Sequence, residues 1–75
     1  PSPSGAQDEF QNMSYWLHAA AVKTQYVSNG ELAAWQPGIS AIAEVKGNAV
    51  YYVQVQSNQE ISASQLEQLM GYIGG

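Results

Sequence analysis

Apolar residues recur at three- and four-residue steps through the first third of the chain, which is the spacing of one face of an α-helix. Asp8 and Glu9 stand where acidic groups suit the positive end of a helix, and Asn29-Gly30 stands where glycine can end one. We therefore predict a long helix over about residues 8–28. The face is made of Phe10, Met13, Leu17, Ala20, Thr24 and Val27.

The same predicted helix carries a second apolar stripe almost opposite the first, since successive residues turn by 100°. A chain of 75 residues builds one small core, so a helix with two apolar faces predicts a partner for one of them. Tyr and Trp dominate the energetics of protein interfaces. The candidate partner-binding residues are Tyr15, Trp16, Ala19, Val22 and Tyr26.

Residues 39–56 are rich in the β-branched and aromatic types that fit a pleated strand, and they predict a two-stranded hairpin. Gly47-Asn48 divides the segment, and a two-residue turn with glycine first is typical of a type II′ hairpin. This turn would pair Lys46 with Ala49. Neither face of the hairpin is cleanly polar, which predicts burial on both sides.

A second helix is predicted over about residues 62–73. Ser62 and Gln65 have the spacing of a capping box, in which each side chain bonds to the backbone of the other residue. Ile61 is placed to pack on Leu66 as a hydrophobic staple. Leu66, Leu69, Met70 and Ile73 form the apolar stripe of this helix.

Two other segments complete the sequence reading. Residues 1–7 combine proline, serine and glycine, which predicts a flexible N-terminal arm. Residues 31–35 predict a short helical turn that Pro37-Gly38 ends. The expected fold is a small α+β domain at residues 8–75, with a long N-terminal helix, a two-stranded antiparallel hairpin and a short C-terminal helix. Because an isolated hairpin is marginally stable, this fold also predicts a partner that completes the core.

Composition narrows the classes of function. The chain has two Lys or Arg residues against six acids, a net charge of −4, and only 11% charged residues. Nucleic-acid binding is not expected, since it depends on clustered Lys and Arg. No apolar run approaches the length of a membrane span, and the absence of cysteine removes thiolate chemistry.

Catalytic and metal chemistry find little support in the residue pattern. His18, the one histidine, has no cysteine or carboxylate at helical spacing that would make a metal pair, and it is expected on a polar strip of the surface. The sequence has no nucleophile elbow, calcium loop or glycine-rich phosphate loop. We therefore expect no enzyme activity and no cofactor.

Residues 61–71 resemble the double-glycine leaders of bacteriocin precursors, which end in a Leu-Ser-x-x-Glu-Leu-x-x-Ile-x-Gly-Gly pattern. Tyr72 departs from that pattern at the second glycine, and alignment on Gly74-Gly75 instead loses the serine and acid positions. The resemblance implies recognition by a processing peptidase or transporter and cleavage after Gly75. The helix, hairpin, helix order is also similar to the small head-to-tail joining proteins of lambda-like phages.

The sequence thus predicts a non-enzymatic interaction or assembly subunit that associates with itself, such as a component of a phage particle or a secreted surface structure. Few charges and many Ser, Gln, Asn and Gly residues favour an extracellular or virion-associated location over the cytoplasm. Two alternatives remain open. One is a leader or carrier segment recognised through its C-terminal helix, and the other is a small acidic inhibitor or immunity-type protein.

Overall fold

Two helices and four strands make up residues 3–73, the part of the chain that the structure, a computed structural model, describes. In chain order they are α1 (Pro3–Ala20), β1 (Lys23–Ser28), β2 (Glu31–Gln36), β3 (Ile39–Lys46), β4 (Ala49–Gln56) and α2 (Ala63–Gly71). The strands form one antiparallel sheet in the order β1-β2-β3-β4. The chain is an α+β protein, but the prediction that its sheet has only two strands is wrong, because the sheet has four.

The first missed strand is β1, which occupies most of the second half of the predicted long helix. Its β-branched and aromatic residues favour a strand, although their spacing also continued the helical pattern. Asn29-Gly30 joins β1 to β2, so it is a hairpin turn and not the end of a helix. This dipeptide is a strong hairpin signal. The sequence therefore contains a signal for β1, but the helical spacing of the same residues is the stronger pattern.

The second missed strand, β2, replaces the predicted helical turn at residues 31–35. All five residues are buried, and Leu32 and Ala33 have no exposed surface. A strand covered on both faces shows a continuous apolar run instead of alternation. Residues 31–35 therefore lack the alternation of apolar and polar residues that predicts a strand. Pro37-Gly38 joins β2 to β3, and Gly38 has a φ of 78°, as the third residue of a type II turn requires.

Helix α1 begins and ends earlier than predicted. It starts at Pro3, inside the predicted flexible arm of residues 1–7, and Ala6 is buried within its first turns. Proline suits the start of a helix because its missing N–H would have no helical partner there. Residues 1 and 2 lie outside the described part of the chain. The helix ends at Ala20 because the chain joins the sheet at Val22, whose N–H donates to the carbonyl of Trp35 at 2.8 Å.

The hairpin of β3 and β4 has the predicted register. Lys46 pairs with Ala49 across Gly47-Asn48, and Glu44 pairs with Tyr51. Gly47 has a φ of 64°, the left-handed value that the first turn residue of a type II′ hairpin requires. The turn residues therefore set the register here.

Helices cover both faces of the sheet, so the molecule has three layers. Successive residues of a strand point to opposite faces, and β2 and β3 therefore contribute to two separate apolar clusters. The cluster under α1 contains Phe10, Leu32 and Ala43, and the cluster under α2 contains Ala33, Trp35, Ile42, Leu66 and Met70. The two apolar faces of the hairpin are thus buried within the chain itself.

The start of α2 confirms the predicted capping box. Ser62 Oγ accepts a hydrogen bond from the backbone N–H of Gln65 at 3.2 Å, and Gln65 Oε1 accepts one from the backbone N–H of Ser62 at 3.4 Å. Ile61 packs against the cluster that contains Leu66, as a staple would. The helix spans Ala63–Gly71, slightly less than the predicted 62–73.

We expect Ser62→Ala to lower the free energy of unfolding by about 1 kcal/mol, because it leaves an N–H at the start of α2 without its side-chain acceptor. Urea unfolding followed by circular dichroism measures the change. Ser64→Ala, at an exposed position in the first turn, is the matched control and should change stability by less than about 0.5 kcal/mol. Equal losses in both variants would contradict the capping role.

Candidate interaction surface

Three large aromatic side chains are exposed on the outer part of α1 and on the neighbouring strand β1. Tyr15 is 67% exposed, Trp16 63% and Tyr26 55%. The rings of Tyr15 and Trp16 meet edge to face with their centroids 5.4 Å apart. Tyr15 and Tyr26 line the same shallow groove. We call these three residues the aromatic patch.

The helix exposes its part of the patch because it uses its other side for the core. Phe10, Met13 and Leu17, spaced by three or four residues, pack against the sheet. Tyr15 and Trp16 lie on the remaining arc of the helix. The first predicted stripe therefore faces the sheet as far as Leu17. The part of the second stripe that lies on α1, Tyr15 and Ala19, is in solvent.

A chain of polar contacts fixes Tyr26 against α1. Its hydroxyl lies 3.2 Å from Ser14 Oγ and 3.5 Å from His18 Nε2, and the other ring nitrogen of His18 lies 3.0 Å from Thr24 Oγ1. The His18 and Tyr26 rings also lie side by side, with centroids 5.8 Å apart. An aromatic ring that is already held in place loses little conformational freedom when a partner covers it.

The other two predicted partner-binding residues lie at different distances from the patch. Ala19 is exposed on α1, one turn beyond Tyr15 and Trp16, so it extends the helical side of the patch. Val22 is 80% exposed but follows the end of the helix and borders another groove, beside Lys23. The structure thus brings together the residues of the aromatic patch and leaves Val22 at its margin.

The groove beside Val22 has a volume of about 310 Å³ and holds polar groups that already bond to one another. Lys23 Nζ lies 2.7 Å from Glu60 Oε2 and 4.7 Å from the centre of the Trp35 ring. The indole N–H of Trp35 donates to the carbonyl of Ile61 at 2.7 Å. These contacts fasten the segment before α2 to the sheet. They give the polar residues of the groove a structural role that needs no ligand.

The serine and histidine beside Tyr26 do not have the arrangement of a nucleophile and its base. Ser14 and His18 each contact the Tyr26 hydroxyl, which lies between them. Ser14 is also only 7% exposed, so its hydroxyl is not presented to a substrate. The geometry assigns both residues to holding Tyr26 in place.

A buried acid, which the sequence analysis missed, lies on the opposite face of the sheet from α1. Glu31 is 2% exposed, and the carboxyl groups of Glu44 and Glu67 lie close enough to act on its charge. Burial, and then the negative charges of Glu44 and Glu67, raise the pKa of Glu31 to about 7. Lys46 Nζ lies 3.8 Å from Glu44 and partly balances the cluster. No local sequence signal joins these acids, because three separate elements bring them together.

Tests for other classes of site and for relatives are negative. Among residues 3–73, no group of His, Cys, Asp or Glu side chains is placed to hold a metal ion. Neither described helix combines the length and the apolar character that crossing a bilayer requires. Comparison with protein-family models, with curated proteins and with solved structures finds no match for this chain.

Proposed function

We propose that this chain is a non-enzymatic interaction subunit that binds protein through the aromatic patch and that associates with a second copy of itself. The observation that carries the proposal is the exposure of Tyr15, Trp16 and Tyr26, between 55% and 67%, with Tyr15 in ring contact with Trp16 and in the same groove as Tyr26. Contiguous apolar surface of this kind is uncommon on monomers and marks interaction sites. Tyr and Trp are also the residues that contribute most to binding energy.

The rigidity of the patch supports the same proposal. Tyr26 is held by Ser14 and His18, and Tyr15 and Trp16 are fixed on a helix that Phe10 anchors to the sheet. A preformed surface loses less conformational entropy when a partner binds, because its side chains are already ordered. The groove between Tyr15 and Tyr26 also offers a shallow recess for a partner side chain.

One argument for a partner no longer applies. The sequence predicted that a thin, two-faced hairpin would need another protein to complete its core. The sheet has four strands, and α1 and α2 cover its two faces. The proposal therefore depends on the patch and not on an incomplete core. The order of elements also differs from the helix, hairpin, helix order on which the similarity to phage joining proteins was based.

The patch is favoured over the two alternatives by specific features. A leader must offer its helix to a peptidase, but Leu66 and Met70 of α2 are fully buried, and the Gly74-Gly75 terminus lies outside the described residues. An acidic inhibitor would bind through carboxylates, whereas the three residues of the aromatic patch are uncharged. Both features are consistent with an aromatic interface.

The test is the mass in solution of the wild type and of Tyr15→Ser with Trp16→Ser, measured by light scattering after size exclusion over about a hundredfold dilution. We expect the wild type to rise above the 8.1 kDa of one chain as concentration increases, and the double variant, whose contact through the patch should weaken about tenfold, to reach a lower mass than the wild type at the same concentration. This pair of substitutions leaves the polar contacts of Tyr26 intact.

Tyr72→Ser is the matched control, because Tyr72 is 87% exposed but lies at the end of α2, outside the patch. It should associate like the wild type. Circular dichroism must show that each variant is folded. A wild type that stays at 8.1 kDa throughout, or equal weakening by Tyr72→Ser, would count against self-association through the patch.

A further inference from the structure

The outer edge of β4 is a second free surface. It lies at the opposite edge of the sheet from β1, the strand that carries Tyr26. β4 is the last strand in the order β1-β2-β3-β4, and no other strand within residues 3–73 pairs with its outer side. The patch lies on α1 and on β1, the strand at the other edge of the sheet. The edge of β4 is therefore independent of the surface already described.

Hydrogen-bond alternation defines which residues of β4 face outward. Lys46 and Ala49 flank a two-residue turn, so they exchange both of their backbone bonds. Every second residue after Ala49 then bonds to β3, and the N–H of Ser57, in the same phase, donates to the carbonyl of Gly38 at 3.0 Å. The residues between them direct their N–H and C=O groups away from the sheet. They are Val50, Tyr52, Gln54 and Gln56.

The two edges of the sheet differ in the features that prevent strand pairing. β1 carries a charge at Lys23, and its pairing with β2 is irregular between Tyr26 and Ser28. Charges and bulges are the usual protection of edge strands. β4 has neither a charge nor a proline, and its register with β3 is unbroken from Ala49 to Gln56. The edge of β4 is thus open to another strand, and that of β1 is not.

We propose that β4 pairs antiparallel with β4 of a second copy, so that two four-stranded sheets become one continuous sheet. A two-fold axis at Val53 would place Tyr52 opposite Gln54 of the second copy and Val53 opposite its counterpart. All outward N–H and C=O groups then find partners, because an antiparallel strand edge is complementary to itself.

Charge supports a second copy as the occupant. No charged residue stands between Lys46 and Glu60, so the edge offers nothing to an acidic or a basic peptide. Two copies each carry a net charge of −4 and repel one another most where acids face acids. Pairing through β4 brings together strands without charge and avoids that repulsion.

This dimer differs from association through the aromatic patch, and the two are compatible. The two surfaces share no residue: the patch lies on α1 and β1, and the free edge belongs to β4. Two-fold contacts at both edges would join copies into an open linear chain. Such a chain would be an assembly that grows with concentration and not a closed dimer.

The test uses Gln54→Lys, with Gln25→Lys as the matched control. Both glutamines are exposed on edge strands, and both variants change the net charge equally, but only Gln54 lies on β4. We expect Gln54→Lys to raise the dissociation constant of the dimer about tenfold or more, because two introduced cations would meet near the two-fold axis. The control should dimerise like the wild type, measured by light scattering.

Amide hydrogen exchange by NMR identifies the strand directly. Between about 10 µM and 1 mM protein, we expect exchange of the outward amides of Tyr52 and Gln54 to slow about tenfold or more, while the inward amides of Tyr51 and Val53 stay protected throughout. The Tyr15→Ser, Trp16→Ser variant should keep this slowing, so failure of the patch and failure of the edge are distinguishable.

Three results would overturn the proposal. Outward amides that exchange equally fast at both concentrations would mean that the edge stays free. Outward amides protected in a species of 8.1 kDa would mean that another part of the same chain covers them. Equal dimerisation of the Gln54→Lys and Gln25→Lys variants would place the contact elsewhere.

Discussion

Replacement of Phe10 by alanine should lower the free energy of unfolding by about 3–5 kcal/mol, the usual cost of removing a buried phenylalanine ring. Phe10 is 4% exposed and packs α1 against Leu32 and Ala43. A domain of 75 residues has a total stability of about 4–11 kcal/mol, so this one substitution removes a large share of it. Urea unfolding followed by tryptophan fluorescence and by circular dichroism measures the loss.

Gln11→Ala is the control for Phe10→Ala, because Gln11 is the next residue of the same helix and is exposed. Its stability should stay within about 0.5 kcal/mol of the wild type. If Phe10→Ala were as stable as this control, α1 would not be held by the cluster that contains Phe10. The aromatic patch would then lack its rigid support, and the proposed function would lose one of its arguments.

Replacement of Glu31 by glutamine should increase stability at pH 8 by about 1–3 kcal/mol and remove a pH dependence that the wild type shows. The pKa of Glu31 rises from 4.5 to about 7 on folding, so the folded chain holds a proton that the unfolded chain has released between these values. Stability from this group is present below pH 4.5, falls as pH rises through the window, and is lost above about pH 7. Glutamine keeps the neutral shape at every pH.

The measurement is the free energy of unfolding of wild type and Glu31→Gln at intervals from about pH 4 to pH 8, with the difference plotted against pH. We expect the difference to grow between about pH 4.5 and 7 and then to level off. Glu60→Gln is the control, because Glu60 is half exposed and pairs with Lys23 at the surface. Parallel pH curves for wild type and Glu31→Gln would show that the Glu31 carboxyl does not hold a proton on folding.

The acid cluster makes the stability of this chain depend on pH at a place that no sequence motif marks. Glu31 is on β2, Glu44 on β3 and Glu67 on α2. In the sequence each acid stands alone, and only the pairing of β2 with β3 and the packing of α2 over the sheet bring the three acids together.

The candidate site was partly predictable from local pattern. Tyr15 and Trp16 lie on the arc of α1 that the positions of Phe10, Met13 and Leu17 leave unused, and helical periodicity predicts that directly. The prediction that Tyr26 shares this surface assumes that the helix continues to residue 28, and that assumption is wrong. Tyr26 belongs to a strand and not to the helix, and it meets Tyr15 because β1 runs beside α1.

Interactions between neighbouring residues specify several features of this protein without help from the rest of the fold. The Gly47-Asn48 turn specified the register of β3 and β4, Ser62 and Gln65 specified the start of α2, and the spacing of Phe10 and Leu17 specified the buried side of α1. Each of these depends on backbone conformation or on side chains within a few residues, and such preferences act in any fold.

The other features depend on contacts between elements that are distant in the chain. Residues 23–36 fit a helix about as well as strands until the sheet beside them and the helices above and below are known, because a strand buried on both faces loses its alternation. The free edge of β4 and the meeting of Glu31, Glu44 and Glu67 likewise depend on which elements lie side by side. Pairing partners distant in the chain fix those positions, and local propensity does not encode them.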